Sequence, residues 1–344
     1  MKRRHSLDGH LMCQQLKETV MNKSRRAFLA AAASSPLLAI SQTGPGAGFP
    51  NRTVTLVVPF GPGSTPDVVA RVLGQKLSAA WGQAVIVENK PGASGQIGTE
   101  AVVRAEADGH TILVTTSTFV VAPSLYAKPR YDALREFAAV SFLGTSPMIL
   151  VTRPEGSRSV AELIAAARQR PASITYGSTG VGTPHHLAMA LLEDVAKVNL
   201  VHVPYKAPGE LVTGLLSDQV NAAWLPIAVA LPHVQAGKLV ALANSKTQRS
   251  RSLPEVQTMQ ELGFAGYEVD NWVGAVVPAR TPVETLQAIE RAITAALSAS
   301  DVQEKLGATG LTLEVQPGSQ FARRLASEQA SWGRLLRERK INIE

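Results

Sequence analysis

The sequence predicts an α/β fold in two lobes, and three observations predict it. β-branched runs alternate with segments of helical periodicity. Two Gly/Ser/Thr loops each follow a strand and open a helix. Behind a leader-like start remain about 300 residues, a length at which chains usually divide into two lobes.

Along the chain, 54–59 is a β-branched strand and 68–77 carries apolar residues at helical spacing. A strand at 85–88, a helix at 97–104 and a strand at 111–116 follow. This βαβα order implies a largely parallel sheet with helices on both faces and ligands beyond the carboxyl ends of the strands. A second set begins with the strand 148–152 and continues through a helix at 160–169, a strand at 174–176 and a helix at 184–197. It runs on through a strand at 200–203, a helix from Glu210 and strands at 220–224 and 240–243. The strand 271–277 returns to the first set, and amphipathic helices at 282–298 and 319–340 complete it. Crossings near 144–147 and 266–271 divide the chain into a leader at 1–47, lobe I at 48–145 and 270–344, and lobe II at 146–269.

The two loops, VVPFGPGSTPD (57–67) and ITYGSTGVGTPHH (174–186), share one design. The first turn of a helix leaves N–H groups unpaired and carries the positive end of the macrodipole, and glycines such as Gly63 and Gly182 let a ligand approach the backbone. Each loop therefore suits a small anion, and two of them suit a clamp. Thr65 fits the N-cap and Pro66 the first helical position; Thr183 and Pro184 repeat the arrangement. Asp67 falls in the first turn, where a carboxylate ties down loop N–H groups but would repel an anion, so its expected role is structural support along with Pro66 and Pro184. Ser64, Ser178 and Thr179 are candidate ligand contacts, with ordinary turn chemistry as the alternative. A third Gly-rich approach, KPGASGQIGT (90–99), adds Ser94, and Ser117 stands just past the strand 111–116.

The start of the chain carries Ser24-Arg25-Arg26-Ala27-Phe28-Leu29, an Ala-rich run to Ile40 and a Gly/Pro-rich stretch. That is export-signal logic: the run is short for a membrane span of about 20 apolar residues, and no stop-transfer pattern follows. SRRxFL resembles a twin-arginine signal; a general secretory signal is the alternative, and Met21 is an alternative start. Of the formal net charge of +7, the leader holds +5, leaving the mature chain near +2, with no basic run to suggest nucleic acid or a membrane surface. Cys13, the single cysteine, lies upstream of the apolar run, so the mature protein has no disulfide or thiolate metal site.

GxSxG, HExxH, CxxC and GxxxxGK[ST] are all missing, as is any pair of carboxylates beside either loop. His185 and His186 are adjacent in a predicted helix, hence about 100° apart, and do not share a face as metal ligands would. Neither catalysis, a cofactor nor a metal is expected.

The strings VPFGPGSTPDVVAR (58–71), VENKPGASGQIGTE (87–100), YGSTGVGTPHHLA (176–188), HVPYKAPGELVTGLLSDQV (202–220) and NWVGAVVPARTP (271–282) resemble the Bug-type substrate-binding proteins of tripartite tricarboxylate transporters. The resemblance runs from about Phe49 to the C-terminus in consistent order. It implies a periplasmic binding protein of the type II fold whose two lobes close on a small carboxylate. The second loop matches the family pattern at Tyr176, Gly177, Ser178, Gly180, Gly182, Thr183 and His186, while the first departs from it at Ser64 and Pro66. Phe60, Tyr205 and Trp224 would shape the rest of the pocket, and Leu225 stands where relatives often carry Asp, which favours an aromatic or simple carboxylic acid over an amino acid. The implied partner is a membrane permease and the implied form a monomer. Two other roles fit the same framework: a solute sensor signalling to a membrane kinase, and an enzyme using Tyr205 or His186.

Overall fold

The computed structural model describes residues 48–339 and 341, so the leader expected at 1–47 lies outside the described residues. The chain opens with β1 (Val54–Val58), α1 (Thr65–Trp81), β2 (Val85–Asn89), α2 (Gln96–Val103), β3 (Thr111–Thr115) and the short α3 (Thr118–Val121). A ten-residue strand β4 (Phe137–Ser146) is separated by Pro147 alone from β5 (Met148–Thr152). Next come α4 (Val160–Gln169), β6 (Thr175–Ser178), α5 (Pro184–Ala196), β7 (Val201–Pro204), α6 (Pro208–Leu216), β8 (Ala222–Pro226), α7 (Ile227–Gln235) and β9 (Val240–Asn244). The chain finishes with β10 (Asn271–Pro278), α8 (Val283–Ser298), α9 (Ser300–Ala308), β11 (Thr312–Pro317) and α10 (Gly318–Arg339).

These strands make two sheets, ordered β11-β4-β10-β3-β1-β2 and β7-β6-β8-β5-β9. Both are mixed, which corrects the largely parallel sheet expected from the βαβα order. β1 pairs in parallel with β2 and β3, but β10 runs antiparallel between β3 and β4. In the second sheet β6 pairs in parallel with β7 and β8, whereas β5 runs antiparallel to β8 and β9. The reversed strands are β5, by which the chain enters the second sheet, and in the first sheet β10, by which it returns, and the edge strand β11, antiparallel to β4.

The central strands of each sheet are buried on both faces, and strand alternation divides the core accordingly. In β1, Leu56 and Val58 join Leu73, Ile112 and Ile289 on one face, while Val57 joins Leu113, Phe119, Phe142 and Phe321 on the other. In the second sheet Leu150 packs with Leu163, Met189 and Trp224, and Ile149 and Val151 pack with Leu211, Leu215 and Leu225. Burying each such side chain contributes roughly 1.5–3 kcal/mol. The sheets are thereby rigid mounts, and the loops at their strand ends inherit fixed positions. Among the described residues no helix is long and apolar enough to cross a membrane.

Candidate functional site

Both Gly-rich loops are built by the same local contacts. Gly63 and Gly182 take positive φ, +78° and +76°, which a residue with a Cβ adopts only at a cost. The residue after each is the helix N-cap with extended backbone: Ser64 at φ −68°, ψ 154° and Thr183 at φ −71°, ψ 157°. Four residues after each glycine, a first-turn side chain accepts its N–H: Asp67 Oδ2 from Gly63 at 2.9 Å, His186 Nδ1 from Gly182 at 3.1 Å. Gly63 therefore corresponds to Gly182, and Asp67 to His186. The Thr-Pro pairs that look equivalent in sequence are one residue out of step, because Thr65 is the first helical residue and Ser64 the cap. Neither cap side chain bonds a first-turn N–H.

Different chemistry holds the two loops. Asp67 is buried and also accepts from Asn89 Nδ2 at 2.9 Å and from Arg71 Nε at 3.1 Å. Burial pushes its pKa up, but the hydrogen bonds from Arg71, Gly63 and Asn89 outweigh that and hold it below the usual carboxylate range. His186 is buried beside His202, ring centroids 4.4 Å apart. Desolvation, with a smaller contribution from His202, lowers its pKa to about 3, so the ring is neutral and its Nδ1 is free to accept.

A cavity of about 420 Å³ lies between the loops. Phe60, Ser64, Thr65 and Pro66 line it from the first loop and Thr179, Thr183 and Pro184 from the second, and of the other expected residues Ser94 and Tyr205 also reach it. Tyr205 lies over Gly214 of α6, where any Cβ would stand 2.3 Å from its hydroxyl. Among the described residues no Asp or Glu lines the cavity, and Lys206, exposed, is the one charged residue in its wall.

Several expected contacts lie elsewhere. Trp224 is fully buried in the core of the second sheet, stacked at 5.9 Å on Tyr267, and Leu225 on the opposite face of the same strand is equally buried. Because β8 is covered on both faces, neither side chain reaches the cavity; Pro226 at the strand end does. His186 lies beneath its loop, and its neighbour His185 takes the cavity wall with Nδ1 2.7 Å from Thr179 Oγ1. Burial lowers the His185 pKa to about 4, which keeps this ring neutral too. Ser178 is also beneath the loop, its Oγ 2.6 Å from His202 Nε2 and accepting from Gly180 N–H at 3.0 Å. This Ser–His pair is spent on the loop, and Ser178 is fully buried. Ser117 is buried ahead of α3 and leaves the cavity wall to Thr116. Gly63 and Gly182 shape their loops without lining the space.

The wall also includes Gly61, Gly180, Pro208 and Asn271, whose Nδ2 donates weakly to Thr65 Oγ1 at 3.4 Å. Asn271 begins β10, where the chain re-enters the first sheet, and no local pattern marks such a residue as a wall. Among the described residues no three His, Cys, Asp or Glu side chains gather as a metal would require.

The model of the tripartite tricarboxylate transporter family receptor matches residues 69–341. Protein BugT of Bordetella pertussis is 34% identical over 295 residues, covering 84% of this chain and 90% of its own. The periplasmic binding protein BugD superposes with a TM-score of 0.80 at 29% identity, over 86% of this chain and all of that one. Rpa4515 of R. palustris, solved with adipate, gives a TM-score of 0.81 at 30% identity over 86% of this chain and 99% of its own.

Proposed function

The chain belongs to the receptor family of the tripartite tricarboxylate transporters, and from that premise we propose that it captures a small organic carboxylate between its lobes and delivers it to a membrane permease. One observation carries the reading: two loops of the same construction, each at the start of a helix whose cap side chain leaves the first-turn N–H groups unbonded, open on one cavity. Paired helix N-termini favour an anion from both sides. Adipate in Rpa4515 supports a carboxylate as that anion.

In this reading Ser64, Thr65, Thr179 and Thr183 hold the carboxylate together with backbone N–H groups, and Phe60 and Tyr205 cover the rest of the ligand. Asp67 and His186 keep the two loops in shape from behind, and Pro66 and Pro184 fix the helix starts. Lobe I is 48–145 with 270–344, and lobe II is 146–269. No covalent chemistry is involved, and an acid-free wall that carries the Lys206 cation suits retention of an anion rather than reaction with it. The protein works as a monomer in the periplasm, exported by a twin-arginine signal within 1–47.

A thermal-shift screen against monocarboxylates, dicarboxylates, tricarboxylates, aromatic acids, neutral sugars and cationic solutes tests this. A ligand that binds only the folded state must raise the melting temperature. A carboxylate is expected to do so; a shift with a sugar or cation and none with any carboxylate would overturn the reading.

A further inference from the structure

The third Gly-rich loop does something the other two do not. From Gly92 to Gly95 four successive residues take positive φ, at +125°, +48°, +54° and +84°, and the middle two are Ala93 and Ser94 rather than glycine. Left-handed backbone at two adjacent L-residues is costly and persists only where the surroundings enforce it. The surroundings are tight: a Cβ on Gly98, just behind, would meet Lys90 O at 2.7 Å and Pro59 Cα at 2.9 Å.

This conformation sends the Ser94 hydroxyl out of its own lobe. Ser94 Oγ donates to the carbonyl of Val181 at 2.7 Å, a residue of the second loop, and lies 3.4 Å from Tyr126 Oη, which is placed to donate in turn. The contact is surrounded by apolar packing across the same boundary. Val181 and Leu187 of α5 pack with Phe119 and Leu125 of the first lobe, and a Cβ on Gly182 would stand 2.1 Å from Leu125 Cδ1. The second loop is thus seated on the first lobe, with Ser94 fastening it.

We propose that Ser94 is a positioning residue for capture, whose hydroxyl latches lobe I to the backbone of the lobe II loop and so sets how long a ligand is retained. The inference rests on the capture reading above. A latch differs from a ligand contact in one measurable respect: it acts equally on every ligand, and on release rather than on entry.

The experiment compares Ser94→Gly, which removes the hydroxyl and relaxes the backbone, with Ala93→Gly, which relaxes the neighbouring backbone and keeps the hydroxyl. Adipate and hexanoate serve as probes in stopped-flow binding, and amide hydrogen exchange of 178–183 is followed without ligand. Ser94→Gly is expected to speed release of both probes by the same factor, about three- to tenfold for one lost hydrogen bond, with association unchanged and faster exchange in 178–183. Ala93→Gly is expected to leave all three unchanged. Factors that differ several-fold between the probes would make Ser94 a ligand contact, and equal effects of both substitutions would make the backbone shape, not the hydroxyl, responsible. Unchanged exchange in Ser94→Gly would also overturn the latch. If neither probe binds to the unaltered protein, the capture reading loses its support while the exchange comparison still decides the latch.

Discussion

Two buried imidazoles, His185 and His186, and the half-buried His202 make the second loop sensitive to acid. Their pKa values stand at about 4, 3 and 4, lowered by burial from an ordinary 6.5. Below pH 6.5 the unfolded chain binds protons at these sites that the folded chain excludes, so the stability they contribute is complete above that pH and is lost as pH falls toward 4. By pH 5.5 the loss is on the order of 1 kcal/mol for each ring. Urea unfolding at pH 7.5, 6.5 and 5.5 is expected to show that decline, and His186→Asn, whose Oδ1 can still accept from Gly182, is expected to flatten it. A profile as steep in the variant as in the parent would remove His186 from the account. At this scale the sequence was half legible. GTPHH marks a helix start with two histidines, but only the fold decides that His185 lines the cavity and His186 lies beneath the loop. Trp224 misleads for a similar reason: a strand covered on both faces hides an aromatic side chain that would wall a cleft on a one-sided strand.

The repeated loop is the element on which the proposed capture is built, and its two copies differ in what stands behind them. Gly63 and Gly182 share a backbone conformation, yet a Cβ on Gly63 meets nothing within 4 Å while one on Gly182 runs into Leu125. Gly63→Ala is expected to cost only the left-handed backbone, about 1–2 kcal/mol. Gly182→Ala is expected to cost more and also to weaken ligand binding, because it pushes the loop off the first lobe. Chemical denaturation and titration of the two variants give the comparison, and Leu125→Ala should recover binding in Gly182→Ala but not in an otherwise unaltered chain. Equal losses at both glycines would mean that the seating on Leu125 is unimportant. Most elements were legible because strand, loop and helix alternate with clear changes of period. The strands and helices without such a change were not. β4 is a buried run with no alternation, β11 is an exposed edge strand, and α7 contains Pro232, which reads as a helix breaker. α9 follows α8 with only Ala299 between them, so its start has no separate signal.

Across the whole molecule the two sheets are tied by charge at the place where the chain returns to the first of them. Asp270, immediately before β10, pairs with Lys246 Nζ at 3.0 Å, just beyond the last strand of the second sheet, and with Arg324 of α10. Arg324 also donates to Glu328 Oε1 at 2.7 Å and lies over the Phe142 ring at 4.5 Å, while Glu328 Oε2 accepts from Trp272 Nε1 at 2.7 Å. One helix turn further on, Trp332 packs against the cores of both lobes. Glu328 is the informative member. Burial pushes its pKa up, and Arg324 pulls back against that without cancelling it. Arg324→Met keeps most of the packing and removes the cation, leaving Asp270 with Lys246 and Glu328 without its counter-charge. Breaking a buried pair in this way costs about 3–5 kcal/mol when the remaining group stays charged. Protonation relieves that cost. A carboxyl whose folded pKa is raised above its unfolded value is stabilising below that unfolded value and loses the contribution as pH rises through the folded one. The difference in unfolding free energy between Arg324→Met and the parent is therefore expected to be largest near pH 7.5 and smaller near pH 5. Taking the difference cancels the decline that the three histidines impose on both proteins. A deficit independent of pH would show that Arg324 acts through its stacking on Phe142 and not through its charge. A deficit that shrinks with acid would identify this cluster as the electrostatic tie between the C-terminal helix and the point where the lobes meet.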